Sequence, residues 1–131
     1  MILLKKEFAS PHFKWRELEC KCRRACGLNG GKARWIQPQA IEKLEVMREL
    51  LGLPMRINSA SRCGLHNQDV RGSALSTHRS SSTRASCAFD VAITMDKDKI
   101  IQAAVEAGFQ GIGVNYRTFV HVDNRPRRAR W

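Results

Sequence analysis

Three residues of this chain have the chemistry to hold a metal ion together: His78, Asp90 and His121. Two neutral imidazoles and a carboxylate fill three positions around zinc and leave a fourth for water, an arrangement suited to hydrolysing a carbonyl compound. The surrounding residues suggest that the three can meet. Asp90 lies in an apolar run, residues 88–93, that reads as a strand, and alternation puts it on one face with the small Ala88 and Ala92. His121 lies in a second such run, residues 119–123, and shares a face with Phe119 and Asp123. If these strands pair antiparallel, Asp90 and His121 come together, and His78 arrives from a serine-rich loop. Two histidines and an aspartate are also an ordinary structural set, hydrogen-bonded in a core. Spacing alone leaves both readings open.

The elements around these residues predict an α+β chain. Ile41, Leu44, Met47, Leu50 and Leu51 recur at helical spacing behind Pro38, and Gly52 with Pro54 ends that helix. Residues 55–58 read as a short strand and residues 65–70 as a short helix. A second long helix is expected over residues 96–107, with Ile100, Ile101, Ala104 and Val105 inward and Gly108 past its end. Residues 111–123 read as a β-hairpin turning at 115–118. Nearer the start, Phe13, Trp15 and Leu18 anchor a loop and a helical turn, and residues 27–35 form a glycine-rich loop. The expected whole is a small, largely antiparallel sheet with helices packed on it, one domain over residues 1–131.

Composition narrows the partners. At 131 residues and 43% hydrophobic, the chain suits one core. Its net charge of +11 favours anionic partners, and four arginines crowd into residues 125–131, read as a basic tail that is solvated or meets phosphate or a cell surface. No nucleic-acid-binding motif accompanies the charge, so nucleic acid is not the expected partner. No apolar run approaches a membrane span. The opening MILLKKEFAS has three apolar residues after Met1, with its charges behind them, so no signal peptide is expected and synthesis in the cytoplasm is. Five cysteines, three of them in CKCRRAC, are expected as thiols, because their spacing lacks the pairs of a structural zinc site.

The order of the fragments adds a resemblance. INSASRCGLHN, STH, AFDVAI, GFQGIGV and FVHVD follow one another over residues 57–123, and HFKWRELECKC precedes them. This series resembles the zinc D-alanyl-D-alanine carboxypeptidase family, in the branch found in bacteriophage lysins and cell-wall-processing proteins. The resemblance implies a hedgehog/DD-peptidase-like fold, a zinc cofactor and His78, Asp90 and His121 as its ligands. It implies that Arg62, in SASR where the family often has SGYR, binds a substrate carbonyl or carboxylate, a task that suits the rigid fork of a guanidinium. Ser76 is implied to lie near the site as a hydrogen-bonding group.

Two departures from the family pattern stand out. His78 and Asp90 are twelve positions apart, wider than the family's usual spacing, with RSSSTRASC between them. Where some branches carry a basic histidine or glutamate ahead of the last ligand, this chain has Phe119 and Thr118. Asp123 is the remaining nearby acid, either as general base or as a group that orients His121. His66 is a less favoured base.

The function this implies is a zinc metallopeptidase acting on peptidoglycan stem peptides beside a D-amino acid, as a carboxypeptidase or an endopeptidase. A phage-type lysin would reach the wall through a holin or from a virion, and the basic surface would favour an anionic envelope. The alternative from another class is a non-catalytic phage structural or cell-wall-binding module that keeps the fold. Nucleic-acid binding, suggested by charge alone, ranks last.

Overall fold

The computed structural model describes residues 7–21, 36–62, 76–79 and 85–131. Its elements, in chain order, are β1 (Phe8–Ser10), β2 (Phe13–Lys14), α1 (Trp15–Leu18), α2 (Pro38–Leu51), β3 (Ile57–Ser59), β4 (Ala88–Ala92), α3 (Lys97–Ala107), β5 (Gly111–Gly113), β6 (Phe119–Asp123) and β7 (Ala129–Arg130). β1 and β2 pair antiparallel by themselves. The other strands form one five-stranded sheet in the order β3-β4-β6-β5-β7, antiparallel except where β7 runs parallel to β5. The fold is α+β, as the sequence pattern predicts.

The β4–β6 pair sets the two faces of the sheet. Phe89 stands opposite Val122 and Val91 opposite Val120, and Ile112 of β5 continues the row beyond Val122. All five are completely buried and share one core cluster with Leu44 and Met47 of α2 and Ile100 and Ala104 of α3. The alternate residues, Asp90 on β4 and His121 and Asp123 on β6, therefore point to the other face. A slip of one residue would exchange the apolar row for the polar one, so the core enforces the register that the polar face needs.

Both long helices carry recognisable ends. Pro38 opens α2 where its missing N–H costs no hydrogen bond, and Gly52 closes it with φ 65° and its N–H on the Arg48 carbonyl at 3.1 Å. Asp96 lies outside α3 as its cap, accepting the Asp98 N–H at 3.0 Å, and Gly108 ends that helix with φ 90°. The inward stripes differ from expectation at their flanks. On α3 the buried set is Ile100, Ala103 and Ala104, with Ile101 half-buried and Val105 47% exposed. On α2 Leu50 is 49% exposed while Ala40 and Glu45 are buried. The two helices pack on each other.

The expected strand at 55–58 is Ile57–Ser59, and the hairpin has β5 and β6 as its arms. The basic tail is not simply solvated: Ala129–Arg130 is a strand on β5. Cys20 is buried and Cys87 half-buried, both as free thiols. The expected helix at 65–70, the glycine-rich loop at 27–35, most of the serine-rich loop, and His66, Cys22, Cys26 and Cys63 lie outside the described residues. Among the described residues no helix is long and apolar enough to cross a membrane.

The turn between β1 and β2 is tied to α2 through one carboxylate. Glu45 accepts the His12 backbone N–H at 2.8 Å and pairs with the His12 ring Nδ1 at 2.6 Å. Burial pushes the Glu45 carboxyl up, but the hydrogen bonds from His12 outweigh it and hold the carboxyl below its ordinary value. A group depressed by folding adds stability above its unfolded pKa of about 4.3, and that stability is lost as pH falls through the folded value. Glu45→Gln is therefore expected to lower unfolding free energy at pH 7 by about 1.5 kcal/mol, the low end for a charged hydrogen bond because His12 is exposed. Urea melts of parent and variant should converge as pH drops below about 4; a gap that persists in acid would refute the charged-hydrogen-bond account.

Candidate metal centre

Four strands lay out the polar face. The register puts Ser59 of β3 beside Asp90 of β4, Asp90 opposite His121 of β6, and His121 opposite Gly113 of β5. In the next row Ala88, Asp123 and Gly111 align. Both glycines serve close approach. A Cβ at Gly111 would collide with Asp123 Oδ1, and one at Gly113 would stand 2.6 Å from the indole of Trp131.

His78 comes from the segment 76–79, which is stitched down on both sides. The Arg62 N–H donates to the His78 carbonyl at 2.8 Å, and the Cys87 N–H donates to the Thr77 carbonyl at 2.9 Å. Within the segment Ser76 Oγ accepts the His78 N–H at 3.2 Å. Ser76 thus braces the backbone of His78.

The three side chains converge on the atoms that matter. His78 Nε2 lies 3.0 Å and His121 Nδ1 lies 3.1 Å from Asp90 Oδ1, and the two nitrogens are 3.3 Å apart. Nitrogen and oxygen ligands at about 2.0–2.1 Å from a tetrahedral zinc stand roughly 3.3 Å from each other. All three residues are buried. The outer ring nitrogens are already committed: His78 Nδ1 donates to the Ala60 carbonyl at 2.8 Å and His121 Nε2 to Asp123 Oδ2 at 2.7 Å. In neutral rings this leaves the inner nitrogens as lone pairs, both facing a carboxylate oxygen. Three acceptors at such distances repel unless a cation or a proton lies among them, so the donor set fits a metal ion.

The same crowding shifts the titration of all three groups. Burial depresses the His78 pKa. For His121 burial acts in the same direction, but hydrogen bonds to Asp123 and Asp90 overcome it and raise the value. Burial would lift Asp90, yet the hydrogen bonds from His121 and His78 hold it well below the usual carboxylate range.

The peptidase M15 family model matches residues 11–123, which take in every side chain of this group. The chain belongs to the peptidase M15 family. This is the zinc D-alanyl-D-alanine carboxypeptidase family, so the chain is a member of a metallopeptidase family with a donor set that fits the family's metal. No curated protein matches it.

Two further residues flank the donors of this M15 chain. Asp123 is completely buried, and both its oxygens are engaged. Oδ1 accepts the Arg125 N–H at 3.1 Å and Arg125 Nε at 2.8 Å; Oδ2 accepts an Arg125 terminal nitrogen at 2.7 Å, Thr77 Oγ1 at 3.2 Å and His121 Nε2. Burial would raise its carboxyl, but hydrogen bonds from Arg125 and His121 hold it well below the usual range. Arg62 lies at the opposite end of the row. Its Nε donates to Ser59 Oγ at 3.2 Å, and a terminal nitrogen stands 3.5 Å from Asp90 Oδ2. The structure therefore brings His78, Asp90 and His121 together, with Arg62 against Asp90 and Asp123 against His121; His66 lies outside the described residues.

Sequence reasoning missed four partners: the Ala60 carbonyl, Thr77, Arg125 and Trp131. A backbone carbonyl carries no signal in the sequence. Arg125, two positions after a strand-end aspartate, was legible as a charge pair but was absorbed into the tail. As an expected outcome, the parent protein should hold close to one zinc per chain, and His121→Ala should lose most of it, because two remaining donors hold zinc poorly. Elemental analysis after dialysis, with far-UV circular dichroism to confirm the fold, checks this; full occupancy in the variant would remove His121 from the ligand set.

Proposed function

We propose that this M15 metallopeptidase hydrolyses the peptide stems of peptidoglycan beside a D-amino acid, as a carboxypeptidase or an endopeptidase. The observation that carries the reading is the buried group of His78, Asp90 and His121, with both outer ring nitrogens committed, in a chain of this family. Zinc held by these three would supply Lewis acidity toward a carbonyl and a nucleophile available near neutral pH. The chain's own residues do the rest. Ala60 and Asp123 fix the tautomers of the two imidazoles and aim their inner nitrogens. Arg62, beside Asp90, brings a guanidinium to the site for a substrate carboxylate or for charge developing on the carbonyl oxygen.

For Asp123 the geometry favours orientation over proton abstraction. Its oxygens are occupied by Arg125, Thr77 and His121, and a strongly depressed carboxyl is a weak base. Asp123→Asn is therefore expected to weaken zinc affinity about 10–100-fold, with excess zinc restoring much of the rate. Peptide hydrolysis against zinc concentration tests it. A rate that stays about 10²–10⁴-fold down at full occupancy would instead make Asp123 the base.

A phage-type lysin, made in the cytoplasm and reaching the wall through a holin or from a virion, is the setting we infer. The +11 charge supports an anionic envelope as the surface it meets. The commitment of Asp123 also favours a second reading, a wall-binding module that keeps the metal and the fold without turnover. Mass spectrometry of products from purified peptidoglycan decides between them. Chelator-sensitive release of D-amino acids or shortened stems is expected; stoichiometric zinc with no product would select the binding module.

A further inference from the structure

The ligand row has two ends. Arg62 stands at the β3 end, beside Asp90. At the β5 end stands Trp131, whose ring centroid lies 5.1 Å from that of His121 with the planes tilted by 47°. Trp131 is 38% exposed, yet it is held by several contacts. Its backbone N–H donates to the Ile112 carbonyl at 3.1 Å and its carbonyl accepts from Val114. Gly113 lies directly beneath the ring, the Arg125 guanidinium stacks 4.7 Å from it, and its Nε1 donates to the Tyr116 hydroxyl at 2.8 Å. Tyr116 is itself partly exposed and stacks on Phe119 at 4.4 Å. A continuous aromatic surface thus runs from Phe119 through Tyr116 to Trp131 and ends against a donor of the metal group.

Fixing so large a side chain while leaving apolar area in water is unfavourable on both counts. A mere cover for His121 needs neither the exposed face nor the hydrogen bond to Tyr116. We propose that Trp131, braced by Arg125, forms one wall of the substrate cleft and packs against the apolar side chain next to the bond that is cleaved. This rests on the peptidase reading above. A peptide lying over the metal group would then meet a guanidinium at one end, suited to its carboxylate or carbonyl, and an indole face at the other, suited to a methyl or methylene group. Trp131 acts here as a specificity-determining residue, with Arg125 as its brace.

The test uses the zinc-loaded full chain and two matched peptides that carry alanine or glycine beside the cleaved bond. One methyl in an apolar pocket is worth about 10–200-fold in kcat/KM, so the parent is expected to prefer the alanine peptide by roughly tenfold or more. Trp131→Ala should erase that preference, chiefly through KM, with zinc content by elemental analysis equal to the parent's. Trp131→Phe should retain part of it. Gly113→Ala, which displaces the indole without deleting it, should also lose it. Calorimetric affinities of the same variants for the two product peptides should change in parallel, which separates binding from turnover. An unchanged alanine-to-glycine ratio in Trp131→Ala, with parent activity intact, would overturn the wall while leaving the peptidase standing. Zinc loss that tracks the loss of activity would make Trp131 a cover for His121 and overturn it too. A parent that neither binds nor cleaves either peptide, nor any stem peptide, would remove the peptidase reading and the wall with it.

Discussion

The pairing of β4 with β6 is the constraint on which the rest depends. One register buries Phe89, Val91, Val120 and Val122 against the helices and, on the reverse face, sets Asp90 directly opposite His121. The apolar contacts supply the free energy, and the polar face inherits its geometry from them. Burying four such side chains is worth several kcal/mol, more than a donor cluster gains by its own hydrogen bonds. The core therefore dictates where the donors stand, and local strain among them is tolerated. That order of strengths explains how the three donor atoms can be held near 3 Å from one another.

Charge balance follows from the same layout. Two buried carboxylates, Asp90 and Asp123, lie on the polar face, and each has an arginine: Arg62 for the first and Arg125 for the second. The pairs differ in quality. Arg125 grips Asp123 through two side-chain nitrogens and its own backbone N–H, while Arg62 meets Asp90 through one long contact at 3.5 Å. Desolvated carboxylates are costly unless satisfied, and Asp123 is satisfied by the chain alone. Asp90 draws its other side-chain partners from the two imidazoles. The asymmetry separates the tasks: Asp123 belongs to the scaffold of the site and Asp90 to its centre.

Much of this was legible in residue order. Alternation in AFDVAI and FVHVD placed the donors on one strand face, and the small Ala88 and Ala92 marked the roomy side. Helix ends were readable from Pro38, Gly52 and Gly108, whose chemistry is local. What escaped was non-local. The Ala60 carbonyl that fixes His78 becomes visible only once the segment 76–79 is laid beside Arg62. The tail RPRRARW looked like solvated charge because its composition is basic, yet its backbone pairs with β5 and its last side chain reaches His121. Composition reports the exposed arginines, Arg127, Arg128 and Arg130; it is silent on the strand that leads to Trp131. On the helices, Val105 and Leu50 fit the apolar period and are still half exposed.

The wide gap between His78 and Asp90 bears on the site less than its length suggests. The chain is anchored on both sides of it: Arg62 bridges to Arg79 before it, and Ser86 bridges to Ile36 and accepts the Gln37 N–H at 2.8 Å after it. The Cys87 N–H then reaches back to the Thr77 carbonyl, which ties the two anchors to each other. Each doubling of a flexible loop costs only about 0.6 kcal/mol in closure entropy. That is less than any one of the hydrogen-bonded anchors contributes if it is worth about 1 kcal/mol. The position of His78 is therefore set by its contacts with Ala60 and Arg62 and by the tie from Cys87 to Thr77.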